Sequence, residues 1–168
     1  MQRRALLTLA ASAAALSLAG CGFALRKAPN FAFTKLFSSL SESSQLGVEL
    51  RRSLQATRKV EVISDVRRIN EAQVILDVLG DQREKVVLSL NATGQVREFQ
   101  LRLRFRFKLR TLAGKELIPD TEILQQRDIS FNESAVLAKE AEEALLYRDM
   151  QSDVIQQIMR RLAAVTEL

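Results

Sequence analysis

A row of regularly spaced cationic residues is the part of this sequence best equipped for chemistry. From Phe99 to Arg110, apolar residues occupy every odd position and polar residues every even one. The even positions include five cations: Arg102, Arg104, Arg106, Lys108 and Arg110. We call these five residues the cation ladder. Because a guanidinium binds a phosphate or a carboxylate through two parallel hydrogen bonds, the ladder has the chemistry to contact several anionic groups at once.

The strict alternation predicts a β-strand with two chemically different faces. Side chains two residues apart on one face are about 6.6 Å apart, so the ladder would follow one face of the strand. The other face is apolar and consists of Phe99, Leu101, Leu103, Phe105, Phe107 and Leu109. An apolar face has to be covered by other elements of the fold, so we expect the ladder to point away from that cover.

Two amphipathic helices supply the expected cover. Apolar residues recur every three or four positions in two segments, 42–57 and about 132–162, which predicts a helix over each. In the first segment the apolar stripe is Leu46, Leu50 and Leu54. In the second it is Leu137, Ala141, Ala144, Tyr147, Met150, Val154, Ile158 and Leu162.

Shorter segments predict the rest of the sheet. We expect a first strand within 31–38, a short strand or lead-in at 59–64, and a last strand at about 122–131. Residues 72–90 predict either a hairpin or one long strand bent by a bulge, and the pattern does not choose between them. The resulting fold class is α+β, a two-layer sandwich with both helices on one face of a mainly antiparallel sheet.

The N-terminus has the features of an export signal. Arg3 and Arg4 precede an uncharged apolar run, 5–19, that is short for a transmembrane helix. Small residues then lead to Cys21, the single cysteine of the chain, which therefore cannot form an internal disulfide. This arrangement resembles the lipobox of bacterial lipoproteins, in which the cysteine becomes acylated after cleavage. Several acyl chains would hold the protein firmly on a membrane.

These features divide the chain into three parts. We expect residues 1–20 to be a cleaved signal peptide, 21–30 a lipidated tether, and 31–168 a single domain. In Gram-negative lipoproteins, an aspartate directly after the lipidated cysteine resembles an inner-membrane retention signal. This sequence has Gly22 there, which favours the outer membrane, with the domain facing the periplasm. The 148 residues that remain after cleavage are enough for one ordinary core.

Composition argues against several classes of function. The sequence contains no histidine, so the usual metal sites and nucleophile–base pairs are difficult to build. We therefore expect no enzyme activity, cofactor or metal. The basic pI of about 9.8 would suit nucleic-acid binding. The export signal argues against that partner, and the aromatic residues alternate onto the face opposite the cations.

Four segments, taken in order, resemble the LptE family of lipopolysaccharide-assembly lipoproteins. They are the lipobox with its continuation, Cys21–Arg26, then Glu98–Leu101 at the alternating strand, then Val136–Glu142 and Gln157–Leu162 in the second helix. The resemblance spans the whole mature chain and implies two helices on a four-stranded sheet. It also implies a lipoprotein without enzymatic activity or cofactor that plugs a large outer-membrane barrel, LptD, and helps to insert lipopolysaccharide.

The resemblance gives the cation ladder two candidate partners. The ladder, and Lys139 within the family-like helix segment, would contact either the anionic groups of lipopolysaccharide or the acidic wall of the barrel. The remaining alternative is a solvated sheet face, whose basic residues block edge-to-edge aggregation. In that case the protein would be a generic structural lipoprotein of the envelope.

Substituting the lipobox cysteine tests the anchoring hypothesis. Cys21→Ala should leave the precursor uncleaved and mislocalised, because no acyl chain could then be attached. Membrane fractionation with mass spectrometry of the N-terminus measures both effects. An acyl-free protein that still fractionates with the outer membrane would contradict the anchor.

Overall fold

The computed structural model describes residues 29–168, which form a five-stranded mixed sheet in the order β2-β1-β3-β4-β5. The strands are β1 (Lys35–Ser38), β2 (Glu61–Ile63), β3 (Val74–Leu90), β4 (Val96–Thr111) and β5 (Glu116–Ser130). The α-helices are α1 (Gln45–Ala56) and α2 (Val136–Ala163), and short 3₁₀ helices occupy Val66–Glu71 and Glu133–Ala135. The predicted signal peptide, 1–20, and Cys21 lie outside the described residues, as does most of the tether, 21–30.

The three longest strands form an antiparallel meander. β4 lies in the middle and pairs with β3 on one side and β5 on the other. Residues 72–90 contain one long strand, β3, whose register with β4 shifts between Val78 and Gly80. A bulge therefore bends this strand, and no hairpin divides it.

The predicted α+β class is confirmed, but the predicted mainly antiparallel sheet of four strands is wrong, because the sheet is mixed and has five strands. β1 is parallel to both of its neighbours, β2 and β3. The chain leaves β1, passes through α1 and returns as β2, a crossover that makes neighbouring strands parallel. With only three residues, β2 is too short for its alternation to distinguish a strand from a connecting segment.

The apolar face of β4 forms the centre of the core, as predicted. Leu101, Leu103, Phe105, Phe107 and Leu109 are fully buried, and Phe99 at the start of this face is half-buried. The covering side chains of α1 are Leu46, Leu50 and Leu54, and those of α2 are Met150, Val154, Ile155, Ile158 and Leu162. α1 begins at Gln45, three residues after the predicted start at 42, because the Ser44 hydroxyl caps the helix by accepting a hydrogen bond from the Gly47 amide at 2.9 Å.

The N-terminal half of α2 departs from the predicted stripe. Leu137 is 83% exposed and Ala141 and Ala144 are also exposed, although all three belong to that stripe. Leu145, four residues after Ala141, is 56% exposed. The N-terminal turns of the helix lie beyond the edge of the core. Its apolar residues therefore continue over turns that have no surface to bury them.

The second face of the sheet is partly covered as well. Phe37, Ile63, Ala72 and Ile75 form a small buried cluster on that face, against Ile69 of the first 3₁₀ helix. This cluster spans β1, β2 and the beginning of β3. Over β4 and β5, no helix of the described residues lies on this outward face.

Two alanine substitutions on the same sheet distinguish its faces. Phe105→Ala should lower the free energy of unfolding by about 3–5 kcal/mol, because it leaves a cavity in the core. Leu124→Ala should change it by about 0.5 kcal/mol or less, since that outward side chain is 41% exposed. Denaturant unfolding followed by circular dichroism measures both values, and equal losses would contradict the assignment of the faces.

Candidate functional site

The cation ladder lies on the outward face of β4, as its alternation predicted. The side chains are partly shielded: Arg110 is 32% exposed, Arg104 35% and Arg106 46%. They lie on the middle strand of the meander, between β3 and β5. The neighbouring strands therefore decide what the ladder presents to a partner.

Carboxylates from these strands bind four of the five cations. From β5, Glu122 contacts Arg104 at 3.4 Å and Asp120 forms an ion pair with Arg106. Asp77 of β3 accepts a hydrogen bond from Nε of Arg110 at 2.7 Å, and Nζ of Lys108 lies 4.0 Å from the same carboxylate. The predicted row of free positive charges is thus a row of ion pairs.

These pairs also affect proton affinity. The hydrogen bond from Arg106 to Asp120 raises the pKa of that guanidinium, and Asp77 raises the pKa of Arg110 in the same way. Both arginines therefore remain charged at any physiological pH.

Arg102 is the exception within the ladder. Its Nε donates a hydrogen bond to Oε1 of Gln100 at 2.8 Å, and no carboxylate among residues 29–168 pairs with it within 4 Å. Its register neighbours are Glu84 of β3 and Gln126 of β5. Arg102 consequently retains donors for a partner.

A small cleft lies beside the next two rungs of the ladder. Its volume is about 180 Å³, and Gly80 and Gln82 of β3 line it together with Arg104 and Arg106. Gly80 faces Arg106 in the register and contributes no side chain there. Nε of Arg104 is buried and has no hydrogen-bond partner among the described residues, so a partner at the surface does not reach this donor.

Lys139 does not join the ladder. It lies on α2, on the opposite side of the sheet, where Nζ donates to Ser130 Oγ at 3.0 Å and to Glu142 at 2.8 Å. The structure therefore brings five of the six predicted contact residues together and separates the sixth from them.

The helical side of the sheet has a second charged region that the sequence did not reveal. A groove of about 530 Å³ runs between β3 and α2. Within it, Lys85 bonds Glu143 at 2.6 Å and Arg83 donates to the buried amide of Gln151 at 2.8 Å. The Tyr147 hydroxyl donates to the backbone carbonyl of Glu84 at 2.7 Å, and burial raises the pKa of this tyrosine.

Residues 29–168 lack two further features. No group of acidic, cysteine or histidine residues there has the arrangement of a metal site. No helix in this part of the chain is both long and apolar enough to cross a membrane.

Comparison with known proteins identifies the family. The sequence model of the lipopolysaccharide-assembly family LptE matches residues 36–162, about three quarters of the chain. The chain belongs to the LptE family. A relative named LPS-assembly lipoprotein LptE, from Yersinia pestis, is 30% identical over 166 residues, which cover 97% of this chain and 78% of the relative.

Solved structures of other lipoproteins share the fold. A lipoprotein B from Nitrosomonas europaea has 33% sequence identity and a TM-score of 0.71, with 86% of this chain and 92% of that one covered. The rare lipoprotein B from Shewanella oneidensis has 25% identity and a TM-score of 0.65, with 78% and 95% covered. The resemblance to LptE that the sequence motifs indicated is confirmed.

Two triple variants test whether the ladder is part of a paired network. Changing Arg102, Arg104 and Arg106 to Gln should preserve the fold, because exposed ion pairs contribute little to stability. Changing all three to Glu should also preserve it but lower the melting temperature further, since the new carboxylates would adjoin Asp120 and Glu122.

Melting curves at low and high salt separate the two effects. The deficit of the Glu variant relative to the Gln variant should shrink as salt screens the repulsion. A loss of cooperative melting in the Gln variant would show that the ladder is part of the core.

Proposed function

We propose that this protein is an outer-membrane lipoprotein that plugs and supports an LptD-like barrel and takes part in lipopolysaccharide assembly. Membership of the LptE family is the observation that carries the proposal. In this role the protein acts by binding, without enzymatic activity, cofactor or metal. Its partners are the barrel, lipopolysaccharide and, through acylated Cys21, the outer membrane facing the periplasm.

The layout of the described domain supports an anchored plug. Pro29 lines a pocket together with Met159 and Ala163, near the C-terminal end of α2. The turn between β3 and β4 lies at the other end of that helix, where Gln95 bonds Glu133 at 3.3 Å. A 28-residue helix is about 42 Å long, so Pro29, the first described residue, and this turn are at opposite ends of the domain.

The turn end of the molecule also has apolar side chains without cover. The last residues of β3 include Val86, Val87, Leu88 and Leu90, which are between 39% and 57% exposed. Exposed apolar groups grouped at one end favour a protein that is completed by a partner. A barrel that surrounds the domain would supply this cover.

We propose that the ladder, Arg102, Arg104, Arg106, Lys108 and Arg110, and separately Lys139, contact either lipopolysaccharide or the barrel. The free donors of Arg102 favour an interaction with acceptors on a partner. The ion pairs at the other rungs favour the alternative of a generic structural lipoprotein with a solvated sheet face.

Co-purification distinguishes the two functions. A C-terminally tagged protein, extracted from outer membranes in mild detergent, should bring down one large heat-modifiable barrel at equal stoichiometry. Gel mobility of heated and unheated samples, with mass spectrometry of the band, identifies the partner. If the tagged protein is recovered alone, the plug proposal is wrong and the structural alternative stands.

A further inference from the structure

The outward face of the sheet is electrically balanced. Five cations form the ladder, and five carboxylates of the flanking strands either pair with them or face them in the register: Asp77, Glu84, Glu116, Asp120 and Glu122. The positive charge predicted from β4 alone is cancelled by residues of β3 and β5. A polyanion that approaches this face therefore meets carboxylates as often as cations.

We propose that Asp77, Asp120 and Glu122 determine the specificity of this face, by excluding polyanions and making it a docking surface for a protein wall that carries both charges. The partner of this chemistry is the polar inner wall of the barrel, so the inference rests on the proposed function. It selects the barrel over lipopolysaccharide as the partner of the ladder.

The groups left unpaired on this face have both signs. Arg102 retains donors, as described above. Glu84 faces Arg102 and Glu116 faces Arg110 in the register. Among the described residues, neither glutamate lies within 4 Å of a cation of the ladder. A partner that satisfies all of these groups has to bring acceptors and donors, which a protein wall does and a phosphate cluster does not.

The ion pairs explain how polyanions are excluded. A phosphate that binds Arg104 or Arg106 competes with Glu122 or Asp120 for the guanidinium, and the neighbouring carboxylate repels it. Such partly exposed pairs contribute little to stability, so their main effect is on what the surface attracts and repels. Like-charge repulsion against the wrong partner is a general source of binding specificity.

The length of the ladder matches the wall of an outer-membrane barrel. From Arg102 to Arg110 the strand advances eight residues, or about 26 Å. The membrane-embedded band of such barrels is about 25 Å tall, and the interior behind it is polar. The mixed-charge face can therefore lie along the inner wall through most of the membrane thickness.

A double variant and a charge-matched control test the proposal in the full lipoprotein in detergent. Asp120→Asn with Glu122→Gln frees Arg104 and Arg106 on the outward face. Asp153→Asn with Glu143→Gln changes the net charge equally but frees Arg127 and Lys85 on the helical side, where these pairs measure 2.8 and 2.6 Å. Thermal melting confirms that each protein is folded before binding is compared.

Immobilised heparin, a linear polyanion, provides the first measurement. The wild type and the helical-side control should elute at similar, low salt, whereas the outward-face variant should need clearly higher salt. Its affinity should also fall more steeply with salt, by about two in the slope of log K against log salt, or about one per freed cation. Equal elution of all three proteins, or an equal shift in both variants, would overturn the proposal.

Barrel recovery from the same preparations provides the second measurement. The outward-face variant should bring down severalfold less barrel than the wild type and the control, because its sheet face has lost two of the carboxylates that would bind the barrel wall. Unchanged recovery would overturn docking through this face. If no barrel accompanies even the wild type, the proposed function fails, and the heparin comparison still decides whether the carboxylates exclude polyanions.

Discussion

Burial of the odd-numbered side chains of β4 is the constraint on which the rest of the structure depends. β4 is the middle strand of the meander, so its alternation fixes which side of the sheet the helices can cover. Phe105 and Phe107 pack in the core on the side that the helices cover. The even-numbered arginines of the strand must then face the other side. The charged face is therefore a necessary consequence of the core, and its chemistry is set by the strands that flank it.

The sequence predicted the parts of the fold that depend on local pattern. The alternation of β4 and the four-residue spacing of Leu46, Leu50 and Leu54 gave the correct faces and the correct cover. The parallel strands could not be predicted in this way, because β2 is three residues long and its pairing depends on a crossover. Leu137 continues a helical stripe whose periodicity contains no information on where the core ends.

The candidate site was predictable in position but not in charge. The ladder was evident because its residues are close in sequence. The carboxylates that neutralise it are not: Asp120 is 14 positions from Arg106, and Asp77 is 33 positions from Arg110. Only the register of three strands brings them together. A charge pattern on one strand therefore describes half of a surface, and family membership alone does not decide which partner the complete surface fits.

The hydrogen bond from Tyr147 to the carbonyl of Glu84 lies on the edge of β3 that faces away from β4. β3 continues about a dozen residues past its last contact with β1, and a long unpaired strand edge is a template for aggregation. The tyrosine occupies one carbonyl of this edge, while Arg83 and Lys85 hold α2 alongside it. The helix thereby covers part of the edge that could otherwise pair with a strand of another copy, and this cover ends near the apolar tip of the strand.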